Sequence, residues 1–440
     1  MLIVTYFFPP LNAIASLRPY AWAKYWSRAG HEVTVLTARK VPRDGLLDLE
    51  IDSSVTSAVK VIEIPPFPLP GPRSSATRGM GIDDEGASST RHQVKTFVKR
   101  VLRGAGIDPS SRHWWALGAL QATRSLSREQ NFDVVVSSYG PPASHIIAGL
   151  IKRRLPVFWV ADYRDLWFGS SLLTGKWPFS RVEKKIEDTL VRKADLITTV
   201  SDPWRDMLRA RFGEGVITIE NGFDLEDLQG LSKESLFPRD GKIRVVYTGT
   251  FYPERQNPEP LFCALARLRD QGVPIDQRLE VLFYGVKRSA LESLVTRYRL
   301  QGIVTARTYT DRKTVLRAQR DADLLLFLDW IDPSFRGMLT GKLYEYLYAG
   351  TPVLCIGQSS DTDAARFIDE ARIGLSVGMS ESLISTTLSE LLLGKPLPYS
   401  PSPEALARFT RERLSRMMLD EIVNRLAQRS SQSSEMPRPS

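Results

Sequence analysis

Short runs of β-branched and apolar residues, each followed by a stretch with helical spacing, dominate this sequence and constrain it most. LIVTYF at residues 2 to 7, EVTVLT at 32 to 37, KVIEI at 60 to 64, DVVVSS at 133 to 138, VFWVAD at 157 to 162 and DLITTV at 195 to 200 are the strand candidates of the first half. They are nearly continuous in apolar character, as strands covered on both faces must be. Between the first two runs a helical stretch extends from about Ser16 to Arg28 and stops at Gly30, a residue that tolerates the left-handed conformation at a helix end. Strand, helix and strand in this order make a βαβ unit, and its repetition implies a parallel sheet flanked by helices. The rhythm returns with KIRVVYTG at 242 to 249, RLEVLFYG at 278 to 285, DLLLFL at 323 to 328 and TPVLCIG at 351 to 357. Helical patterns lie between them near 258 to 271, 288 to 299, 311 to 320 and 341 to 349. At about 100 to 200 residues per domain, 440 residues fit two doubly wound α/β domains.

The expected organisation is a first domain over 1–225, a polar, turn-rich linker over 226–240 and a second domain over 241–400. A helix over 401–428, starting near Pro403 after the Pro-rich LGKPLPYSPSP, is expected to cross back onto the first domain, and 429–440 to be a disordered tail. Within the first domain, residues 65–92 are rich in Pro, Gly and Ser and read as a mobile insertion. RHQVKTFVKRVLRG then sets Val94, Phe97, Val98, Val101 and Leu102 on one helical face with Lys95, Lys99, Arg100 and Arg103 around it, a basic amphipathic helix over 92–103. A further helix begins at Ser180, with Glu183 closing a capping box.

Composition decides what kind of protein carries this pattern. Hydrophobic residues at 42% and charged residues at 25% exclude global disorder, collagen and coiled coil. Only Cys263 and Cys355 occur, which excludes a disulfide framework and fits a reducing compartment, so a cytoplasmic protein is expected. No apolar run approaches the roughly 20 residues of a membrane-spanning helix, and MLIVTYFFPP lacks the basic start of a signal peptide. The formal charge of +9 favours anionic partners such as phosphates or an acidic membrane face.

Two doubly wound domains also suit an oxidoreductase, which a dinucleotide fingerprint would mark. None is present: FFPPLNAIASLRP, after the first strand, has no glycine to let the backbone approach a pyrophosphate, and no Walker loop occurs. Asp321 with Asp323 and Asp361 with Asp363 form Asp-x-Asp pairs, but the first precedes its strand and the second opens a helix, so both read as structural. His31, His92, His113 and His145 are scattered and show no metal-ligand spacing.

Four segments carry a resemblance. ENGFD at 220 to 224, FRGMLTGKLYEYLYAGTPVLCIG at 335 to 357, VTYFFPPLNAIASLRPYAWAKYWSRAGHEVTVLT near the start and ADYRDLW at 161 to 167 stand in the order found in family-four glycosyltransferases of the GT-B fold, of the bacterial surface-polysaccharide type. The resemblance implies two Rossmann-like domains facing across a cleft, a nucleotide-sugar donor on the second and a glycan or lipid-linked acceptor on the first. It implies retention of anomeric configuration and no cofactor or metal. The loop Thr340–Gly341 would present backbone N–H groups to a diphosphate, Glu345 would accept from the ribose hydroxyls, and Gly249 and Thr250 would form the phosphate-approach loop. Arg255 and Lys342 would stabilise charge on the leaving nucleoside diphosphate, and Tyr309 and Thr310 would lie near the base. Asn12, Ser16 and Arg18 are the acceptor-side candidates, and Asp162 and Asp165 end a strand near them, Asp165 as a general base or as the partner of Arg164. Where the family carries a Glu that contacts the donor sugar, eight residues before Glu345, this chain has Gly337. No nucleic acid is expected, and residues 92–103 are expected to contact an anionic membrane. A sugar-nucleotide epimerase on the same scaffold, or a silent subunit that binds a partner glycosyltransferase, are the alternatives.

Overall fold

The computed structural model describes residues 1–65, 115–129, 131–169, 179–332, 336–359 and 361–435. Apart from Pro65, the expected insertion lies outside the described residues, and so does the basic helix over 92–103. The chain divides into two compact units: Met1–Thr199 with Trp204–Thr218 and Asn424–Ser440, and Val200–Pro203 with Ile219–Val423.

The first unit holds a seven-stranded sheet in the order β3-β2-β1-β4-β5-β6-β7, every neighbouring pair parallel. Its strands are β1 (Leu2–Val4), β2 (Val33–Ala38), β3 (Val59–Ile64), β4 (Val134–Ser138), β5 (Phe158–Tyr163), β6 (Leu196–Thr199) and β7 (Val216–Thr218). Every residue of β2, β4, β5 and β6 is buried, which is why those runs read as nearly unbroken apolar stretches. Registers of Leu2 with Thr34 and Leu2 with Val135 place β1 between β2 and β4. The helix Ile14–Arg28 packs beside β2 and β3 and buries Trp22 and Trp26, whose rings stack at 5.8 Å.

In the second unit a six-stranded parallel sheet runs β10-β9-β8-β11-β12-β13. It is built from β8 (Ile243–Thr248), β9 (Leu279–Tyr284), β10 (Val304–Arg307), β11 (Leu324–Leu328), β12 (Val353–Ile356) and β13 (Gly374–Ser376). In both sheets the order reverses between the first strand and the fourth in chain order, so each has a switch point where ligands of such sheets bind, beyond the carboxyl ends of the strands. These are two Rossmann-like domains.

Three strands were absent from the sequence reading: β7, β10 and β13. All are edge strands of three or four residues. With one side unpaired and partial exposure, as at Leu375, they need no continuous apolar run.

The segment 226–240, expected as a linker, is packed into the second unit. Leu228, Leu231, Leu236 and Phe237 lie against its core, and the Leu236 N–H donates to Asp321 at 2.7 Å. The single helix expected from Pro403 is two, Pro403–Arg408 and Arg411–Glu435. Between them the backbone pairs with Phe223, which donates to Phe409 O and accepts from the Arg411 N–H, both at 2.9 Å. Gly222 of the ENGFD turn makes this possible, since a Cβ there would stand 2.4 Å from Phe409 O. The last helix also outruns the expected end at residue 428. Arg425 donates to Asp195 O at 3.4 Å and Arg429 lies 3.5 Å from Asp195 Oδ1, both contacts within the first unit. The final five residues of the expected tail, 436–440, lie outside the described residues.

Candidate functional site

In the first unit the side chains predicted for the acceptor split into a buried group and a more accessible one. Asp162, on β5, is fully buried. Arg18 reaches it with Nη2 at 2.7 Å from Oδ1 and Nε at 3.2 Å from both oxygens, Ser138 donates to Oδ2 at 3.0 Å and Thr198 to Oδ1 at 2.8 Å. With donors arriving from three elements, this carboxylate on β5 acts as an anchor that ties the first helix to β4, β5 and β6, and its oxygens are committed. Arg18 is spent in the same contact and lies over the Trp22 ring. Both expectations, Asp162 as a catalytic group and Arg18 as an acceptor contact, are thereby corrected to positioning roles. Ser16 is also fully buried, with a hydroxyl that has no hydrogen-bond partner.

The accessible group stands at the switch point, beyond β1, β4 and β5. Arg164 lies over the Phe7 ring and pairs with Asp165 at 2.8 Å, while Asn12 is half-buried on the loop after β1. Gly140, after β4, has φ +106, and a Cβ there would stand 2.6 Å from Arg164 Nη2, so glycine gives Arg164 its place. Asp165 is 31% exposed. His145 is a core residue: Nδ1 is 2.8 Å from Ser137 Oγ, and burial pushes its pKa down to about 3, with Asp162 opposing.

Beneath this end lies an unforeseen support. Glu187 is fully buried and accepts from Tyr163 OH at 2.9 Å, the Phe168 N–H at 3.1 Å and Arg211 at 2.9 Å. Glu183 accepts from Trp167 Nε1 at 3.1 Å. These two carboxylates of the helix Phe179–Val191 therefore grip three residues of the segment 163–168.

The second unit brings most of the predicted donor residues to its own switch point, between β8 and β11. Gly249 leaves β8 with φ +96, and a Cβ on it would meet Lys342 Cε at 3.2 Å and Nζ at 3.5 Å. Lys342 stands in the first turn of the helix Gly341–Ala349, its Nζ 3.8 Å from the centroid of the Tyr247 ring. Burial lowers its pKa from the ordinary 10.5 to about 7, although Glu345 pulls the other way. A lysine at this poise sits at a helix N-terminus, where the dipole favours anions. Thr340 is the cap residue of that helix, yet its Oγ1 is buried and makes no hydrogen bond. Gly285, after β9, was not singled out from sequence. A Cβ there would stand 3.1 Å from Gly249 O, so two adjacent strands both end in glycine to let their loops meet. The visible signal was the shared strand-to-Gly ending of VVYTG and VLFYG.

Glu345 faces a network the sequence did not reveal. Its Oε1 accepts from Arg312 Nη1 at 2.8 Å and its Oε2 from Gln319 Nε2 at 3.1 Å. Arg312 Nη2 also binds Asp227 Oδ2 at 2.7 Å, and Gln319 binds Thr248 Oγ1 at 2.9 Å. Burial works to raise the Glu345 pKa, but Arg312 and Gln319 outweigh it and hold it below the ordinary value. The carboxylate is therefore charged and oriented, and with about four acceptor positions on a carboxylate it keeps capacity for hydroxyl donors.

The remaining predicted residues are more open. Thr250 is exposed and its carbonyl accepts from Tyr247 OH at 2.8 Å. Arg255 is half-buried, and its carbonyl accepts the Ile331 N–H at 3.0 Å. Gln256 locks the 249–256 loop by donating to Leu328 O at 2.7 Å and accepting the Tyr252 N–H at 3.1 Å. Tyr309 is 67% exposed and Thr310 half-buried, three and two residues before Arg312. Of the Asp-x-Asp pairs, Asp321 accepts the Leu236 N–H and Asp323 the Arg244 N–H, both at 2.7 Å, and Asp363 accepts the Gly337 N–H at 2.6 Å.

Among the described residues no helix is long and apolar enough to cross a membrane. Residues 17–222 match the family model of the glycosyl transferase 4-like domain. No curated protein matches the sequence. Among solved structures, a sucrose-phosphate synthase from Thermosynechococcus elongatus superposes with a TM-score of 0.60 at 16% identity, covering 97% of this chain and 99% of that one. WaaG, a glycosyltransferase involved in lipopolysaccharide biosynthesis, gives 0.50 at 14% identity, with 95% and 94% covered. UDP-GlcNAc 2-epimerase from Methanocaldococcus jannaschii gives 0.52 at 11% identity, with 95% and 99% covered. At these identities the likeness establishes the fold.

Proposed function

We propose that this chain, whose residues 17–222 match the glycosyl transferase 4-like domain model, transfers a sugar from a nucleotide-sugar donor held by the second domain to a glycan acceptor held by the first. The observation that carries the reading is the meeting of Gly249 and Lys342 at the N-terminus of the helix Gly341–Ala349. A loop that leaves its strand through glycine, a helix N-terminus and a lysine whose pKa is lowered to about 7 converge where an open α/β sheet binds anions.

In this reading the C1–O bond to the donor phosphate breaks as the acceptor oxygen bonds to C1 on the same face, so configuration is retained. The acceptor proton passes to the departing phosphate oxygen. Lys342, Arg255 and the helix N-terminus stabilise the charge that develops there, in place of a metal ion. Asp165 positions the acceptor hydroxyl. The acceptor is a lipid-linked glycan of a surface polysaccharide, and residues 92–103 supply the contact with an anionic bilayer.

Incubating the full chain with UDP-glucose, UDP-galactose, UDP-N-acetylglucosamine and GDP-mannose in excess EDTA tests the reading. Slow release of UDP or GDP is expected with at least one donor. Interconversion of the sugar would make the protein an epimerase, loss of release that Mg or Mn restores would overturn metal independence, and failure to bind any donor would leave a silent subunit.

Glu345→Gln addresses the ribose contact. Gln keeps the shape and leaves Asp227 on Arg312, whereas Ala would also unbalance a buried guanidinium. Losing a charge-assisted hydrogen bond of about 1.5 to 3 kcal/mol should weaken binding of the free nucleoside diphosphate by about 10- to 150-fold in calorimetry. Unchanged affinity in a folded variant would remove Glu345 from the nucleotide site.

A further inference from the structure

A cavity of about 220 Å³ in the second unit stands beside the proposed donor site. It opens between the loop after β11 and the loop after β12, with Asp329, Trp330, Arg336, Gln358, Thr362 and Asp363 among its walls. Asp329 is the last residue before the β11 loop and only 5% exposed. Its Oδ1 accepts the Trp330 N–H at 2.8 Å, while its Oδ2 has no hydrogen-bond partner among the described residues. Burial raises the pKa of Asp329, and the Thr362 hydroxyl, which accepts the Ala365 N–H at 3.1 Å and keeps its own O–H to donate, works against that rise. A buried carboxylate oxygen without a donor is costly unless something supplies one.

Chemistry narrows what that is. An acceptor-only oxygen at the wall of a cavity selects a ligand that brings O–H or N–H groups, and it repels phosphate. Among the described residues no three His, Cys, Asp or Glu side chains converge as ligands of a metal ion would. The volume is below the roughly 300 to 1,000 Å³ of a drug-sized site, so it suits a single ring. The flank is partly aromatic, since Trp330 lies 5.6 Å from the Tyr252 ring.

Position ties the cavity to the donor. Met338 is in its wall, and three residues on, at most about 10 Å of chain, is Gly341 at the helix N-terminus. Tyr252 and Arg255, which touch Trp330 and Ile331, belong to the loop that starts at Gly249. Gly337, where the resembled family carries its sugar-contacting Glu, is held with φ +83 by its N–H bond to Asp363 Oδ2 and brings no side chain.

We propose that Asp329 reads a hydroxyl of the donor's sugar ring in this cavity and so supplies the specificity contact that Gly337 cannot make. The inference rests on the donor reading above. Calorimetry of the full chain with UDP and GDP, and with the nucleotide sugar it prefers among UDP-glucose, UDP-galactose, UDP-N-acetylglucosamine and GDP-mannose, tests it. Asp329→Asn should bind the nucleotide sugar about 10-fold or more weakly, the scale of a hydrogen bond to a charged group, while its affinity for the free diphosphate stays at the wild-type level. Gly357→Ala, whose added methyl would stand 2.7 Å from Asp329 Cβ, should reproduce the selective loss with the carboxylate present. An equal loss for sugar-bearing and free diphosphate in variants that melt like the wild type would overturn the proposal, as would no loss at all. If the wild-type protein binds neither UDP nor GDP, the donor reading itself fails and this one falls with it.

Discussion

Arg18→Met is expected to destabilise the first unit by about 3 to 5 kcal/mol, the cost of leaving a buried charge without its partner. Asp162 is fully buried and receives three of its five hydrogen bonds from Arg18. Ser138 and Thr198 would remain, but two hydroxyls do not neutralise a carboxylate that water cannot reach. The pair itself need not be a net stabiliser, because desolvating both ions offsets much of their attraction. The double variant Arg18→Met with Asp162→Asn should therefore recover most of the loss, and the two substitutions should be strongly non-additive. Urea unfolding followed by tryptophan fluorescence reports this, since Trp22 and Trp159 are buried in this unit. A change below about 1 kcal/mol in the single variant, with acceptor affinity lost, would instead return Arg18 to the acceptor site; surface residues of that kind usually change stability by less than 0.5 kcal/mol or so.

Asp162 also shows where sequence reading stops. It ends an apolar run, as catalytic carboxylates of such sheets do, and nothing local distinguishes a residue that faces substrate from one that faces the first helix. The deciding partners stand 144, 24 and 36 residues away. Arg312 escaped notice for the same reason: its partners Glu345 and Asp227 lie 33 and 85 residues off, and pairs so distant leave no periodic trace. By contrast, the central strands were legible because burial on both faces forces unbroken apolar runs, and so was the helix that starts at Gly341, because the spacing that marks it lies within the chain segment itself. The edge strands β7, β10 and β13 are short and half-covered, so burial imposes little on their composition. Asp329 hid in plain view, as a polar residue that closes a strand has no sequence mark to tell an orphaned carboxylate from a bonded one.

Lys342→Met should separate stability from function most sharply. The Lys342 pKa is lowered from 10.5 to about 7 by burial, so between those values the unfolded chain holds a proton that the folded chain has released. Stability from this group therefore rises with pH across that window and is lowest at and below pH 7. Methionine fills a similar volume without a charge to bury, so the variant should be at least as stable as the wild type near neutrality, with a flatter dependence of stability on pH. Binding should move the other way. A diphosphate at the helix N-terminus draws the proton back onto Nζ, so the wild-type protein should take up a proton on binding UDP or GDP above pH 7, and its affinity should fall as pH rises further. Removing the amine forfeits a charge-assisted contact of about 1.5 to 3 kcal/mol, a loss of about 10- to 150-fold in affinity. Calorimetry in two buffers of different ionisation enthalpy counts the proton, and thermal melts from pH 6 to pH 10 follow the stability. A variant that binds the diphosphate as tightly as the wild type, with the same proton uptake, would place the anion elsewhere. One that is markedly less stable near pH 7 would mean that the protein keeps this buried lysine for packing, since a group retained at a cost to the fold is one that the ligand, and not the core, requires.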